Sequence, residues 1–148
     1  FMLLKFNPKT TIMFDPAASL KFEGDTGPYI QYAAARINSI KRKAADKGLD
    51  FSNPDWSLLT DESEKNLTMT IGFYPAILQL AAERRDCSGL AEYLLNLAKS
   101  FNRFYRECPI LAADNAELGQ ARARLAEQTR KVLVDGLATM TIKVPESM

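Results

Sequence analysis

Leu90, Leu94, Leu97, Phe101 and Phe104 recur at intervals of four, three, four and three residues. That spacing places all five on one stripe of an α-helix, and a stripe of this width is stable only when other elements cover it. The rest of the chain is punctuated as a set of helices able to do so. Ile30, Ala33, Ala34, Ile37, Ile40 and Ala44 repeat at three and four, which predicts an amphipathic helix over 28–48. Asp25 or Thr26 can cap its free amides, Pro28 fits its first turn, and Gly48 is a natural stop.

Further along, Asn53-Pro54-Asp55 marks a loop, and Asp61 with Glu64 forms a cap-like pair opening a second helix through Leu67 and Ile71. Gly72 and Pro75 separate it from a third helix carrying Ile77, Leu78, Leu80 and Ala81, which the 84–89 cluster closes. Ser88 is expected to cap the fourth helix, the one with the stripe, and Pro109 to end it. Asp114 with Glu117 is expected to open a long fifth helix through Leu118, Leu125, Val132, Leu133, Leu137 and Met140. The fold class is therefore all-α, a bundle of about five helices, with Tyr74 and Tyr93 in its core.

Residues 1–27 differ. Thr10-Thr11-Ile12-Met13-Phe14 has β-branched character, and Asp15 is placed to cap a short turn through Leu20. The opening Phe1-Met2-Leu3-Leu4-Lys5-Phe6 reads as the interior of an element, so the chain is expected to be a piece of a longer polypeptide. No run approaches the roughly 18 apolar residues of a membrane span, and Lys5 interrupts the first one, so no membrane partner and a cytoplasmic location are expected.

Composition narrows the chemistry. Without a histidine the chain cannot build a Ser-His or Cys-His pair or a histidine metal site, and Cys87 and Cys108 are too few for a zinc cluster. Both thiols are expected to be reduced and structural. Gly24 and Gly27 lack the spacing and lysine of a nucleotide cradle. Glu62 and Glu64 suit a helix N-terminus better than acid–base work. No catalytic residue is expected, and what remains is binding.

Charge is nearly balanced, 19 Lys and Arg against 18 Asp and Glu, but unevenly spread. Arg36, Lys41, Arg42, Lys43 and Lys47 stand against Asp46 alone, and the following stretch, with Asp50, Asp55, Asp61, Glu62 and Glu64, is acidic. One helix face could meet phosphate. Lys41-Arg42-Lys43 could equally be a solvated helix end, favoured by the helix dipole.

The segment Asp25-Thr26-Gly27-Pro28-Tyr29-Ile30-Gln31-Tyr32-Ala33, followed by Ala35-Arg36, resembles the junction in arginyl-tRNA synthetases between the catalytic domain and the C-terminal helical anticodon-binding domain of the DALR type. Ile12–Asp15, Tyr93–Tyr105, Arg124-Leu125 with Val132-Leu133 and Gly136-Leu137, and the terminal Pro145-Glu146-Ser147-Met148 resemble that family's successive segments in order. Three positions depart from its pattern. Ala34 stands where histidine is usual, Thr141 where glycine is common, and Ser147 where an arginine precedes the last methionine.

The resemblance implies a division into residues 1–27, a remnant of the catalytic domain with its linker, and 28–148, the anticodon-binding bundle. It implies tRNA(Arg) and the catalytic domain of the same polypeptide as partners, and no DNA. ATP with magnesium would serve the parent enzyme, with no cofactor in this stretch. Holding unstacked anticodon bases needs aromatic faces with cations for the flanking phosphates. Carried over residue by residue, the resemblance implies that Tyr29, Tyr32, Arg36, Tyr105 and Met148 line that pocket. Alternatives stand beside each: Tyr29 as a core residue, Tyr32 packed on the bundle, Arg36 bracing helix-end carbonyls, Tyr105 as the last member of the Phe101–Phe104 stripe, Met148 frayed without RNA. Two other functions fit a helical bundle, a protein-interaction module using the acidic stretch and the related domain of the cysteinyl enzyme, which the junction motif matches less well.

Overall fold

The computed structural model describes residues 1–7, 9–13, 15–21, 24–48, 53–146 and 148. Phe14, Asp50 and the Ser147 departure, all singled out above, lie outside the described residues. Among the described residues the regular structure is helical throughout: α1 (Pro16–Ser19), α2 (Gly27–Asp46), a single 3₁₀ turn (Trp56–Leu58), α3 (Glu62–Gly72), α4 (Tyr74–Arg84), α5 (Ser88–Glu107) and α6 (Ala116–Thr139). The five helices α2–α6 correspond to the five expected from periodicity.

Helix starts follow local chemistry. Asp15 accepts from the amides of Ala17 and Ala18 and makes the expected one-turn α1. Asp61 and Glu64 form a reciprocal capping box at α3. Two expected caps move by one or two residues. At α5, Ser88 lies inside the first turn, and its amide is instead held by the Asp86 carboxylate at 2.8 Å. At α6, Asn115 rather than Asp114 accepts from the amide of Leu118, 2.7 Å away. In both places an Asx side chain reaches two or three residues forward, a choice that adjacent polar residues leave open in the sequence.

α5 is the centre of the bundle, with α2, α3, α4 and α6 all packed against it. Its stripe is fully enclosed: Leu90, Leu94, Leu97, Phe101 and Phe104 have no exposed surface. Where α6 crosses α5, Gly136 allows close approach, since a Cβ there would lie 2.7 Å from Leu94 Cδ2. Tyr93 is buried with its hydroxyl donating to Thr70 O at 2.9 Å, and burial pushes its ionisation up to about 12. Tyr74 stacks on it at 5.9 Å and is half-buried, with its hydroxyl on Asp135. Both tyrosines therefore serve the core, as expected from sequence.

One charged group is enclosed as well. Glu64 has 1% of its surface exposed; one carboxylate oxygen accepts from the Asp61 amide and the other from Arg122 Nε at 2.6 Å. Arg122 also donates to Pro109 O, so a single ion pair ties α3, α6 and the loop between α5 and α6 together.

Candidate nucleic-acid interface

α2 is anchored before it presents any side chain. The Thr26 hydroxyl donates to Lys21 O at 2.6 Å and accepts from the Tyr29 amide at 3.2 Å, and Pro28 fills the first turn. Asp25, next to it, is gripped by Lys99 of α5 at 2.7 Å, and this hydrogen bond holds its carboxyl below the usual aspartate range. From that fixed start, Tyr32, Arg36, Ser39 and Lys43 follow at helical spacing along one face.

That face meets the end of α5. The Arg36 guanidinium lies 4.7 Å from the centre of the Tyr32 ring and 5.5 Å from the Tyr105 ring, within cation–π reach of both. Tyr105 also stacks on Phe101, 6.1 Å between centres and 23° between planes, yet keeps 40% of its surface exposed. It therefore belongs to the stripe on one side and to solvent on the other. Among the described residues Arg36 bonds a side chain rather than helix-end carbonyls: its Nη1 donates to Asn102 Oδ1 at 3.0 Å, and Asn102 Nδ2 donates to the Tyr29 hydroxyl at 2.8 Å.

The third wall is the C-terminus. After α6 the chain reverses at Thr141, whose φ of +60° is the left-handed conformation that favours glycine. The tail then runs beside α2, and Met148 reaches the same cleft as Tyr32, Ala35, Arg36, Ser39, Ile40, Lys43, Tyr105 and Leu111. The cleft encloses about 240 Å³. Leu111 is held there by its carbonyl, which accepts from Lys47 Nζ at 3.0 Å.

Of the five residues named from sequence, Tyr32, Arg36, Tyr105 and Met148 meet in one cleft. Tyr29 is half-buried and is linked to Arg36 through Asn102. Asn102 and Ser39 were not singled out, and Lys43 was read only as part of the basic run. The basic triplet divides: Lys43 faces the cleft, Lys41 pairs with Glu127 at 2.8 Å, and Arg42 reaches Ser39 Oγ. Ala34 is enclosed in the core, away from the cleft.

Cys87 and Cys108 are free thiols; Cys108 is buried beside Ser63, and burial pushes its ionisation up. Among the described residues no three His, Cys, Asp or Glu side chains stand together in a way that could hold a metal, and no helix is long and apolar enough to cross a membrane.

These features define an α-helical bundle domain with an open cleft of rings and cations at one end of its central helix. Residues 30–148 match the DALR anticodon binding domain, and the chain belongs to that family. It is 42% identical to an arginine–tRNA ligase of Treponema denticola and 36% identical to one of Parabacteroides distasonis, covering 100% of this chain in each and 26% and 25% of those proteins. Among solved structures, it is similar to the arginyl-tRNA synthetase of Thermus thermophilus, with a TM-score of 0.88 at 36% identity over 99% of this chain and 25% of that one. The Plasmodium falciparum enzyme gives 0.82 at 28% identity, again over 99% of this chain. The chain thus spans about a quarter of the length of the relatives it matches.

Proposed function

We propose that this chain is the tRNA-binding part of an arginine–tRNA ligase, holding the anticodon loop of tRNA(Arg) so that the acceptor end reaches an active site elsewhere in the polypeptide. One observation carries the reading: a guanidinium lies against two partly exposed tyrosine rings that line one cleft. Unstacked bases bind on aromatic and guanidinium planes, and Lys43 at the rim suits a flanking phosphate. Tyr32, Arg36 and Tyr105 are the stacking surface and Met148 the adaptable edge. Tyr29 acts one step back, fixing Arg36 through Asn102.

Residues 1–27 are the end of the catalytic part and its linker, and 28–148 the binding domain. Its partners are tRNA(Arg) and the catalytic part of the same polypeptide, in the cytoplasm. The ATP and magnesium that the whole enzyme would use belong to the catalytic part of the polypeptide. The 148-residue chain is therefore expected to bind RNA and not to aminoacylate it.

Titration of a tRNA(Arg) anticodon stem-loop against Tyr105→Ala and Tyr105→Phe, with a melting curve for each, tests this. A stacked base contributes on the order of 1–3 kcal/mol, so Tyr105→Ala should weaken binding at least fivefold while Tyr105→Phe stays near the parent. Unchanged affinity of Tyr105→Ala with a lowered melting temperature would make the ring a core residue and overturn the assignment.

A further inference from the structure

The tail that delivers Met148 to the cleft is tied to α2 by two side chains with no role in the stacking surface. Gln31 Nε2 donates to the carbonyl of Lys143 at 2.7 Å, and Asn38 Nδ2 donates to the carbonyl of Glu146 at 3.2 Å. Gln31 and Asn38 are seven residues apart, two helical turns, and so lie on one line along α2. Their acceptors are three residues apart in the tail, which fits an extended strand of chain beside a helix: about 10 Å for two turns of helix against about 10 Å for three extended residues.

Both bonds are to backbone carbonyls, so they fix the path of the tail whatever its side chains are. Upstream, the turn is fixed independently: the amides of Thr141 and Ile142 donate back to the carbonyls of Ala138 and Leu137, which closes α6 and sets the direction in which the tail leaves it. Ile142 and Val144 pack partly buried against the core. Beyond Val144, the bond from Asn38 to the Glu146 carbonyl is the attachment nearest Met148 among the described residues.

We propose that Gln31 and Asn38 are positioning residues for RNA recognition: they clasp the C-terminal strap against α2 so that Met148 closes the cleft, and they act through Met148 rather than by touching RNA. This rests on the RNA-binding reading above. Without the clasp the strap detaches, Met148 leaves the rings of Tyr32 and Tyr105, and RNA must order it again on binding. The apparent affinity then falls with the fraction of docked tail.

The test uses the 148-residue chain labelled with ¹³C on its methionine methyls, Met148 being assigned by comparison with a chain lacking that residue. In the unaltered chain the Met148 methyl should be displaced by the neighbouring tyrosine rings. In the double variant Gln31→Ala/Asn38→Ala it should move toward the position of a free methionine, with the melting temperature nearly unchanged. Each hydrogen bond is worth about 2- to 12-fold in the docked population, so affinity for the anticodon stem-loop should fall roughly tenfold.

Removing Met148 should cost less in the double variant than in the unaltered chain, because both changes act through one group. The nearly isosteric Gln31→Glu/Asn38→Asp variant, which sets carboxylates against the two carbonyls, should behave like the alanine pair and guards against a packing artefact. A Met148 signal that does not respond to either variant overturns the clasp. So does a signal that moves while RNA affinity stays the same, or additive losses with Met148 removal. Failure of the unaltered chain to bind RNA would overturn the functional reading instead, while the methyl signal still decides whether the clasp exists.

Discussion

Replacing Arg122 with Met should be among the most damaging single changes in this domain that leave the cleft intact. Glu64 is 1% exposed and its carboxylate has two partners, the Asp61 amide and Arg122 Nε. Methionine keeps most of the apolar stem of arginine but removes the positive charge, leaving a buried carboxylate on one neutral donor. Breaking one side of a buried, hydrogen-bonded pair costs about 3–5 kcal/mol. The carbonyl of Pro109 loses its donor as well. For a domain of this size each kcal/mol moves the melting temperature by about 2–4 °C, so Arg122→Met should melt on the order of 10 °C below the parent.

Most of that cost is the stranded charge, which gives a second arm. Glu64→Gln in the Arg122→Met background keeps an oxygen for the Asp61 amide while removing the charge, and should recover more than half of the loss. Differential scanning calorimetry or urea unfolding of the four proteins in the cycle measures it. A loss below about 1 kcal/mol for Arg122→Met, or no recovery in the double variant, would refute the reasoning. The first result would mean that the pair is solvated, the second that Arg122 works through packing alone.

Three further outcomes follow from other parts of the structure. Thr141→Gly should stabilise the domain by about 1 kcal/mol, because a β-branched residue at φ +60° carries strain that glycine does not; a rise of a few degrees in melting temperature checks it. Leu97→Ala, at a fully enclosed position, should cost about 2–5 kcal/mol in urea unfolding, while RNA affinity of the folded protein stays within twofold.

Glu127 gives a pH dependence. Burial pushes its carboxyl up, but hydrogen bonds from Lys41 and Arg124 outweigh burial and hold it below the ordinary glutamate value of 4.5. Its contribution is then present above about pH 4.5 and lost as pH falls through the folded value. Glu127→Gln should be less stable than the parent at pH 7, with the gap closing in acid, as urea unfolding at the two pH values would read.

Helix positions were legible because their signals are local. Pro28, the Asp61–Glu64 pair and the stripe from Leu90 to Phe104 each act within a turn or two of themselves. Resolution failed at the scale of one or two residues where two capping side chains sit close together, at Asp86–Ser88 and Asp114–Asn115. The cleft was partly legible: Tyr32 and Arg36 share one helix face by spacing, but that Tyr105 and Met148 join them depends on the angle at which α2 crosses α5 and on the reversal at Thr141. Asn102 was not legible. Its partners, Tyr29 and Arg36, lie 73 and 66 residues away, and a lone asparagine on a helix carries no pattern. Glu64 was read correctly as a cap, yet its burial against Arg122, 58 residues on, depends on α6 packing over α3.

The most direct measurement is a map of amide and methyl NMR shifts while a tRNA(Arg) anticodon stem-loop is added to the labelled chain. Shifts concentrated at Tyr32, Arg36, Lys43, Tyr105 and Met148, weakening steeply as salt is raised, are the expected result. Shifts concentrated instead on the exposed Trp56 and Met69 beside the acidic stretch, or none at all at concentrations where the loop is in excess, would contradict the account.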